Sequence, residues 1–336
     1  MNAKIARPTL VAAAATCLAG AAVLLTAACG TGSAAAGSPA SAPTVSSTPS
    51  APAPSASASA TEGSVAGLPG WLYYADSDKL VRLTKSGVDT VLKAGAYNAN
   101  VSPDGASVAF VENDGDLVVA DRDGGDKRTL LRDSVTQGHE PVWSADSQRL
   151  LVAKSAAGGG ATMGVVTVAS GAFTALPHQP EGIHLVWSAD GQRLGFATGT
   201  CRIGTADADG GNFRLVPVFG DLGNESNPEL RRSCDPFSIS ADGKLMAVNQ
   251  RTGDQPDGDI GRDVFANAVV DVATGADVRL PVTGAVTAVL FQPNGDILVR
   301  TKDHKLTLLG ADRTVKAQVT EPAAVRGLAL LGYSPN

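Results

Sequence analysis

The first 66 residues of this 336-residue chain have no aromatic side chain, and among them only Lys4, Arg7 and Glu62 are acidic or basic. All fifteen aromatic residues of the sequence lie after that point. A hydrophobic core requires large apolar side chains, so a segment made almost entirely of Ala, Ser, Thr, Pro and Gly does not build one. We therefore expect the folded domain to occupy residues 67–336.

The folded part also lacks an excess of positive charge. The whole chain has 27 basic and 33 acidic residues. Two of the basic residues and one of the acidic residues precede residue 67, which leaves a net charge of −7 for the domain. Contacts with nucleic-acid phosphates or with an anionic lipid surface require clustered Lys and Arg. The composition therefore argues against nucleic acid as a partner, and against a direct electrostatic contact between the domain and a membrane.

Catalytic signatures are missing as well. The sequence contains no G-x-S-x-G nucleophile elbow, no H-E-x-x-H motif, no G-x-x-x-x-G-K-[ST] loop and no dinucleotide fingerprint. A Gly-rich stretch after Ser155 joins two predicted strands instead of opening a helix, which makes it a poor phosphate site. We therefore expect a protein that is not an enzyme and that uses neither a cofactor nor a metal.

The N-terminus has the pattern of an export signal. Lys4 and Arg7 precede an apolar stretch over residues 10–25, which is short for a membrane span. Small residues then lead to Cys29. This arrangement resembles a bacterial lipoprotein signal, although Thr26 stands where that family prefers Leu.

The resemblance implies that residues 1–28 are a signal peptide and that Cys29 becomes lipidated. Residues 29–66 would then form a disordered tether that holds the domain at the extracytoplasmic face of the cell membrane. An ordinary cleaved signal, and hence secretion, is one alternative, and an uncleaved short anchor is another.

A five-residue phrase recurs after residue 100. It reads as an apolar residue, Ser or Gln, Pro or Ala, Asp or Asn, and then usually Gly, and its copies begin at Val101, Trp143, Trp187, Ile239, Phe291 and Tyr333. The Pro, Asp and Gly positions predict a tight turn in each copy. Short β-rich runs such as SVAFV and RLGFA follow the turn, so each repeat predicts about four strands.

Four-stranded repeats of this length are typical of a β-propeller. A β-sandwich is the structural rival, but it does not explain a regular period. The phrases WSADGQRLGFAT and SPDGASVAFVENDGDLVVADRDGG resemble the repeat of the TolB-type propellers of bacteria, which have six blades. We therefore predict an all-β, six-bladed propeller with four strands per blade, folding as a monomer.

The last copy of the phrase has no strands after it, whereas residues 70–92 supply strands without a phrase of their own. We expect the N- and C-terminal segments to share one blade and close the ring. Closure removes the exposed sheet edges that would otherwise pair with other chains.

Two intervals between copies contain about ten extra residues each, near residues 220–234 and over residues 251–263. Such insertions form surface loops, which either carry the binding face or have no role. The second loop is rich in Asp, so a bound cation is a further alternative there. Cys201 and Cys234 are the two cysteines of the folded part. Because an exported chain meets oxidising conditions, we expect them to form a disulfide; a metal site or a catalytic thiol is the weaker alternative.

Several side chains fall where the repeat predicts one mouth of the central channel. They are Tyr97, His139, Glu140, His184, Arg232, Asp235 and Arg326. Propellers commonly bind ligands or peptides at such a mouth. The alternatives are a lining hydrated by water, or a metal held by His139, Glu140 and His184.

Together these features predict a non-catalytic interaction module of the cell envelope that binds an unidentified envelope protein or peptide. The alternative is a propeller that binds a small ligand or a cell-wall saccharide, or a lyase that uses the His and acidic side chains of the channel.

Overall fold

The computed structural model describes residues 67–76, 79–93, 98–112, 115–135, 137–220, 231–252 and 264–335. Within these ranges the chain forms β-strands and one short 3-10 turn, Ala323–Val325. None of the helical segments in these ranges has the length and apolarity needed to cross a membrane. The signal peptide, Cys29, the tether, Tyr97 and most of the Asp-rich loop lie outside the described residues.

The strands follow the predicted repeat and form antiparallel sheets, which we call blades 1 to 6 in chain order. Blade 1 begins with β1 (Trp71–Ala75), β2 (Leu80–Thr84) and β3 (Gly87–Leu92). Blade 2 contains β4 (Asn100–Val101), β5 (Ser107–Val111), β6 (Leu117–Asp121) and β7 (Arg128–Leu131). Blade 3 contains β8 (Ser134–Val135), β9 (Val142–Trp143), β10 (Arg149–Ser155), β11 (Ala161–Thr167) and β12 (Phe173–Ala175).

The second half of the chain continues the pattern. Blade 4 contains β13 (Ile183–Trp187), β14 (Arg193–Ala197), β15 (Ile203–Asp207) and β16 (Arg214–Leu215). Blade 5 contains β17 (Arg231–Arg232), β18 (Pro236–Ile239), β19 (Leu245–Val248), β20 (Arg251–Thr252) and β21 (Ala268–Asp271). Blade 6 contains β22 (Val286–Phe291), β23 (Ile297–Thr301), β24 (Lys305–Leu309) and β25 (Val315–Thr320), and the last strand is β26 (Ala329–Ser334).

Strand β26 completes blade 1 by pairing antiparallel with β1, so the two ends of the described domain share one sheet. Leu72 lies opposite Tyr333, whose hydroxyl donates a 2.9 Å hydrogen bond to the carbonyl of Pro69. The innermost strands contact one another in the cyclic order β26, β4, β9, β13, β18, β22 and back to β26. The domain is therefore a six-bladed β-propeller, as the repeat predicted.

Blades 3 and 5 depart from four simple strands. In blade 5 the described sheet has the order β18-β19-β21, and β17 pairs with β20 beside it. In blade 3 the innermost strand is interrupted. Val135 of β8 lies opposite Ala153, while Val142 of β9 already lies opposite Leu151. Residues 137–141 therefore bulge out of the ladder, and Val152 is the one residue of β10 between the two pairings.

The repeated phrase is a turn that satisfies its own polar groups. In the first copy the Ser102 hydroxyl donates to Asp104 at 2.6 Å and accepts the backbone N–H of Ser107 at 2.9 Å. Gly105 follows with φ of 65°, a left-handed conformation that favours glycine. In the second copy the equivalent hydroxyl bond to Asp146 lowers the pKa of that carboxyl group. These local bonds, which recur in the first four copies, allow the Ser of the phrase to be buried at the end of the innermost strand.

The buried apolar side chains form layers between neighbouring blades. Tyr73 and Val91 of blade 1, for example, pack with Val108 and Phe110 of blade 2 in one continuous cluster. Since every blade buries both of its faces, the stability of each depends on its neighbours.

Candidate functional site

The six innermost strands line a central cavity of about 170 Å³ that is partly open to solvent. Most of its wall is apolar. The wall includes Val101, Val142, Trp143, Val186, Trp187, Phe237, Leu290, Phe291, Leu331 and Tyr333.

The mouth predicted from the sequence lies where the innermost strands begin, and a buried His–Asp pair lies beside it, outside the residues that line the channel. His184 on β13 has no exposed surface, and Asp235, just before β18, is 1% exposed. Nδ1 of His184 lies 2.8 Å from Oδ1 of Asp235 and 2.9 Å from the carbonyl oxygen of Cys234. A proton on Nδ1 therefore faces two acceptors, which orients the ring and joins blade 4 to blade 5.

The bulge of blade 3 docks against the same histidine. The backbone N–H of His184 donates to the carbonyl of Gly138 at 2.7 Å. His184 adopts a φ of 53°, which is unusual for a residue with a side chain. Strained backbone of this kind is found at functional sites, where the surrounding structure holds it in place.

His139 and Glu140 follow on the bulge, and the hydrogen bonds of their side chains are less complete. Nδ1 of His139 and Oε2 of Glu140 are both buried, yet neither has a hydrogen-bond partner among the residues that the structure describes. Burial, and then the nearby His184, lower the pKa of His139 below its ordinary value of 6.5, so its imidazole is neutral at pH 7. Buried polar atoms of this kind commonly complete their hydrogen bonds with ordered water.

The predicted disulfide between Cys201 and Cys234 is present, with the two Cα atoms 4.2 Å apart. Cys201 lies in the turn between β14 and β15, and its carbonyl accepts the N–H of Ser233 at 3.0 Å. The bridge therefore holds the segment that supplies Cys234 and Asp235 against blade 4. Its structural effect reaches the mouth, because both residues contact His184.

The remaining predicted site residues are spread more widely. Arg232 is buried on β17, where it lies opposite Arg251 of β20. Arg326 donates from Nε to the carbonyl of Glu321 at 2.8 Å and is not part of the channel wall. Within the described ranges no group of three or more His, Cys, Asp or Glu side chains is placed to hold a metal ion.

A second buried polar cluster lies at the junction of blades 6 and 1, and the sequence analysis did not identify it. Glu321 has no exposed surface. Its Oε1 accepts the hydroxyl of Tyr74 at 2.9 Å, and its Oε2 accepts two N–H groups of Arg300 at 2.8 and 3.1 Å. Burial, with a further contribution from Glu321, raises the pKa of Tyr74 well above its ordinary value. The cluster therefore links blade 6 to blade 1, the blade in which the two ends of the domain pair.

No protein-family model matches the chain, and no curated protein sequence matches it. Among solved structures, the nidogen/laminin complex is 13% identical over 79% of this chain and 97% of that chain, with a TM-score of 0.47. TolB from Acinetobacter baumannii is 16% identical over 75% of this chain and 64% of that chain, with a TM-score of 0.47. An oligogalacturonate lyase in complex with manganese is 14% identical over 70% and 69%, with a TM-score of 0.46.

The six-bladed architecture agrees with the TolB-type resemblance that the repeat indicated. At these identities and TM-scores the similar structures say nothing about the activity of this chain. Its function has to be argued from its own site.

Proposed function

We propose that this protein is an exported, lipid-anchored propeller that binds an envelope protein or peptide at the channel mouth and catalyses no reaction. One observation carries the proposal. The channel wall is mostly apolar, and it includes the carboxylate side chain of Glu140. Apolar walls with a few convergent polar groups are the usual construction of a binding site. The lipoprotein-type signal ending at Cys29 supports the envelope location.

The alternative of a lyase in the channel is less well supported by this geometry. A catalytic base has to reach the substrate proton. His184 has no exposed surface, and its Nδ1 is engaged by Asp235 and by the Cys234 carbonyl. These contacts suit a positioning role for His184, and they favour the binding module.

Photocrosslinking in cells tests the proposal. A photoreactive amino acid is placed at Gln137, which is exposed on the bulge beside the mouth, in one full-length variant. The control variant has it at Lys244, which is exposed in the turn at the other end of β18. We expect the first variant to yield one dominant adduct in the membrane fraction, identified by mass spectrometry, and the control to lack it. Identical products at both positions, or none at either, would contradict the proposal.

A further inference from the structure

The turn between β22 and β23 contains the only Asn-Gly pair of the sequence, Asn294–Gly295. It belongs to the fifth copy of the repeated phrase, whereas the first four copies have Asp at the same position. Asn294 is exposed, and Gly295 has a φ of 86°, a left-handed conformation that favours glycine. The turn thus favours glycine after Asn294, and that residue has no side chain to shield its backbone nitrogen.

The carboxamide of Asn294 is held by two hydrogen bonds to Asp296. Its Oδ1 accepts the backbone N–H of Asp296 at 3.0 Å, and its Nδ2 donates to Oδ2 of Asp296 at 3.2 Å. The other carboxylate oxygen of Asp296 lies 2.6 Å from Nζ of Lys316. The first bond closes a ring that includes the peptide nitrogen of Gly295, so it folds the carboxamide back over that nitrogen.

This arrangement has the parts that an intramolecular acyl transfer needs. The backbone nitrogen of Gly295 is the nucleophile, and Cγ of Asn294 is the acyl carbon. The N–H of Asp296 donates to the oxygen on which negative charge develops during the attack, as a donor of an oxyanion hole does.

One contact opposes the reaction. The N–H of Gly295 donates to the carbonyl of Gln292 at 2.9 Å, and this bond has to be released before the nitrogen can attack. Because the turn is exposed, its release requires only a local opening and not unfolding of the domain. The folded turn should therefore slow the reaction without preventing it.

We propose that Asn294 is a site of spontaneous deamidation. Hydroxide removes the amide proton of Gly295, and the nitrogen forms a bond to Cγ of Asn294. The Cγ–Nδ2 bond then breaks, and the amide nitrogen takes a proton from water and leaves as ammonia. Water opens the resulting five-membered succinimide at either of its two carbonyl groups, which gives aspartate or isoaspartate at this position. Water is the only co-reactant, and the proposal does not depend on the proposed function.

Both products change the turn. An aspartate would still accept the N–H two residues further on, as Asp104 does in the first copy. It would, however, replace the Nδ2 donor by a second carboxylate beside Asp296. An isoaspartate adds a methylene group to the main chain, so the turn that begins with Gln292 and Pro293 has to rearrange. Since these two residues line the central cavity, the modification would alter one end of its wall.

Peptide mapping by mass spectrometry tests the proposal on the full-length protein during incubation at pH 8.5. A synthetic peptide with the sequence of residues 289–298 provides the rate in the absence of the fold. Asn212 is an internal control, because it is also exposed but is followed by Phe213. We expect Asn294 to convert at least about ten times faster than Asn212, since glycine has no Cβ to hinder the attack. Isoaspartate should be among the products.

Two variants separate the chemistry from the geometry. Asn294→Gln should give no conversion on this timescale, because its cyclisation would need a less favourable six-membered ring. Asp296→Ala removes the acceptor of the Asn294 amide and should slow conversion roughly threefold. Asp209→Ala, a matched change in the exposed turn after β15, should leave the rate unchanged.

An Asn294 that stays intact while the synthetic peptide converts would overturn the proposal, because the folded turn would then protect the residue. Equal conversion at Asn294 and Asn212 would overturn it as well. A rate that Asp296→Ala does not change would also contradict it, since the contacts of the turn would then contribute nothing.

Discussion

Two clusters of buried polar side chains lie on opposite sides of the ring, and they differ in how completely their hydrogen bonds are satisfied. At the junction of blades 6 and 1, both carboxylate oxygens of Glu321 accept hydrogen bonds from Tyr74 and Arg300. At the mouth beside blades 3 and 4, His139 and Glu140 each have a buried atom without a partner in the described residues. The first arrangement stabilises the closed ring, whereas the second is only partly satisfied within the described residues.

The largest effect is expected at the satisfied cluster. Glu321→Ala removes the acceptor of Arg300, whose guanidinium would remain nearly buried and without its carboxylate. Breaking a buried pair in this way costs about 3–5 kcal/mol of the free energy of unfolding. Urea denaturation of the domain, followed by circular dichroism, measures the loss.

A double variant sharpens this result. Arg300→Met combined with Glu321→Leu removes both charges, so it should recover much of the lost stability. A matched surface control is Lys244→Ala, which breaks an exposed contact with Asp242 and should change stability by at most about 1 kcal/mol. A Glu321→Ala effect no larger than that of the control would show that the cluster does not hold the ring closed.

A somewhat smaller loss is expected from opening the disulfide. Replacing Cys201 and Cys234 together with Ala removes a cross-link that spans 33 residues. In the chain-entropy model the loss is about 3–4 kcal/mol. The same change frees the segment that carries Asp235, so it should also reduce the adduct at Gln137, measured at a temperature well below unfolding. Glu321→Ala should keep the adduct. If the disulfide variant and Glu321→Ala both lose it, the two clusters do not differ in their effect on binding.

Much of the architecture was predictable because the turns of the repeat are local. In the first four copies the Ser hydroxyl of the turn completes its hydrogen bonds within about six residues, as Ser102, Asp104 and Ser107 do. Contacts between residues far apart in the sequence could not be predicted in this way. Glu321 meets Tyr74 across 247 positions, and only ring closure brings the two residues together.

The candidate site was predictable in part. His184 and Asp235 were both expected near the mouth, but their direct contact depends on how blade 4 packs on blade 5. The bulge that carries His139 and Glu140 results from the pairing of β8 and β9 with one strand, β10, and no periodicity in the sequence indicates it. Trp143 and Trp187 look equivalent in the repeat, and their different hydrogen bonds arise from the neighbouring blade.

The smallest effect on stability is expected from the unsatisfied cluster, and its pH dependence is the informative part. His139→Gln removes a ring whose Nδ1 has no partner among the described residues, so the free energy of unfolding at pH 7.5 should change by no more than about 1 kcal/mol. In the wild type the pKa of His139 is lowered in the folded state, so the unfolded chain binds a proton more readily. Stability should therefore fall as the pH drops through 6.5, and this fall should be shallower in His139→Gln. Urea denaturation at pH 7.5, 6.5 and 5.5 measures both curves, and parallel curves would show that the folded protein accommodates a charged His139.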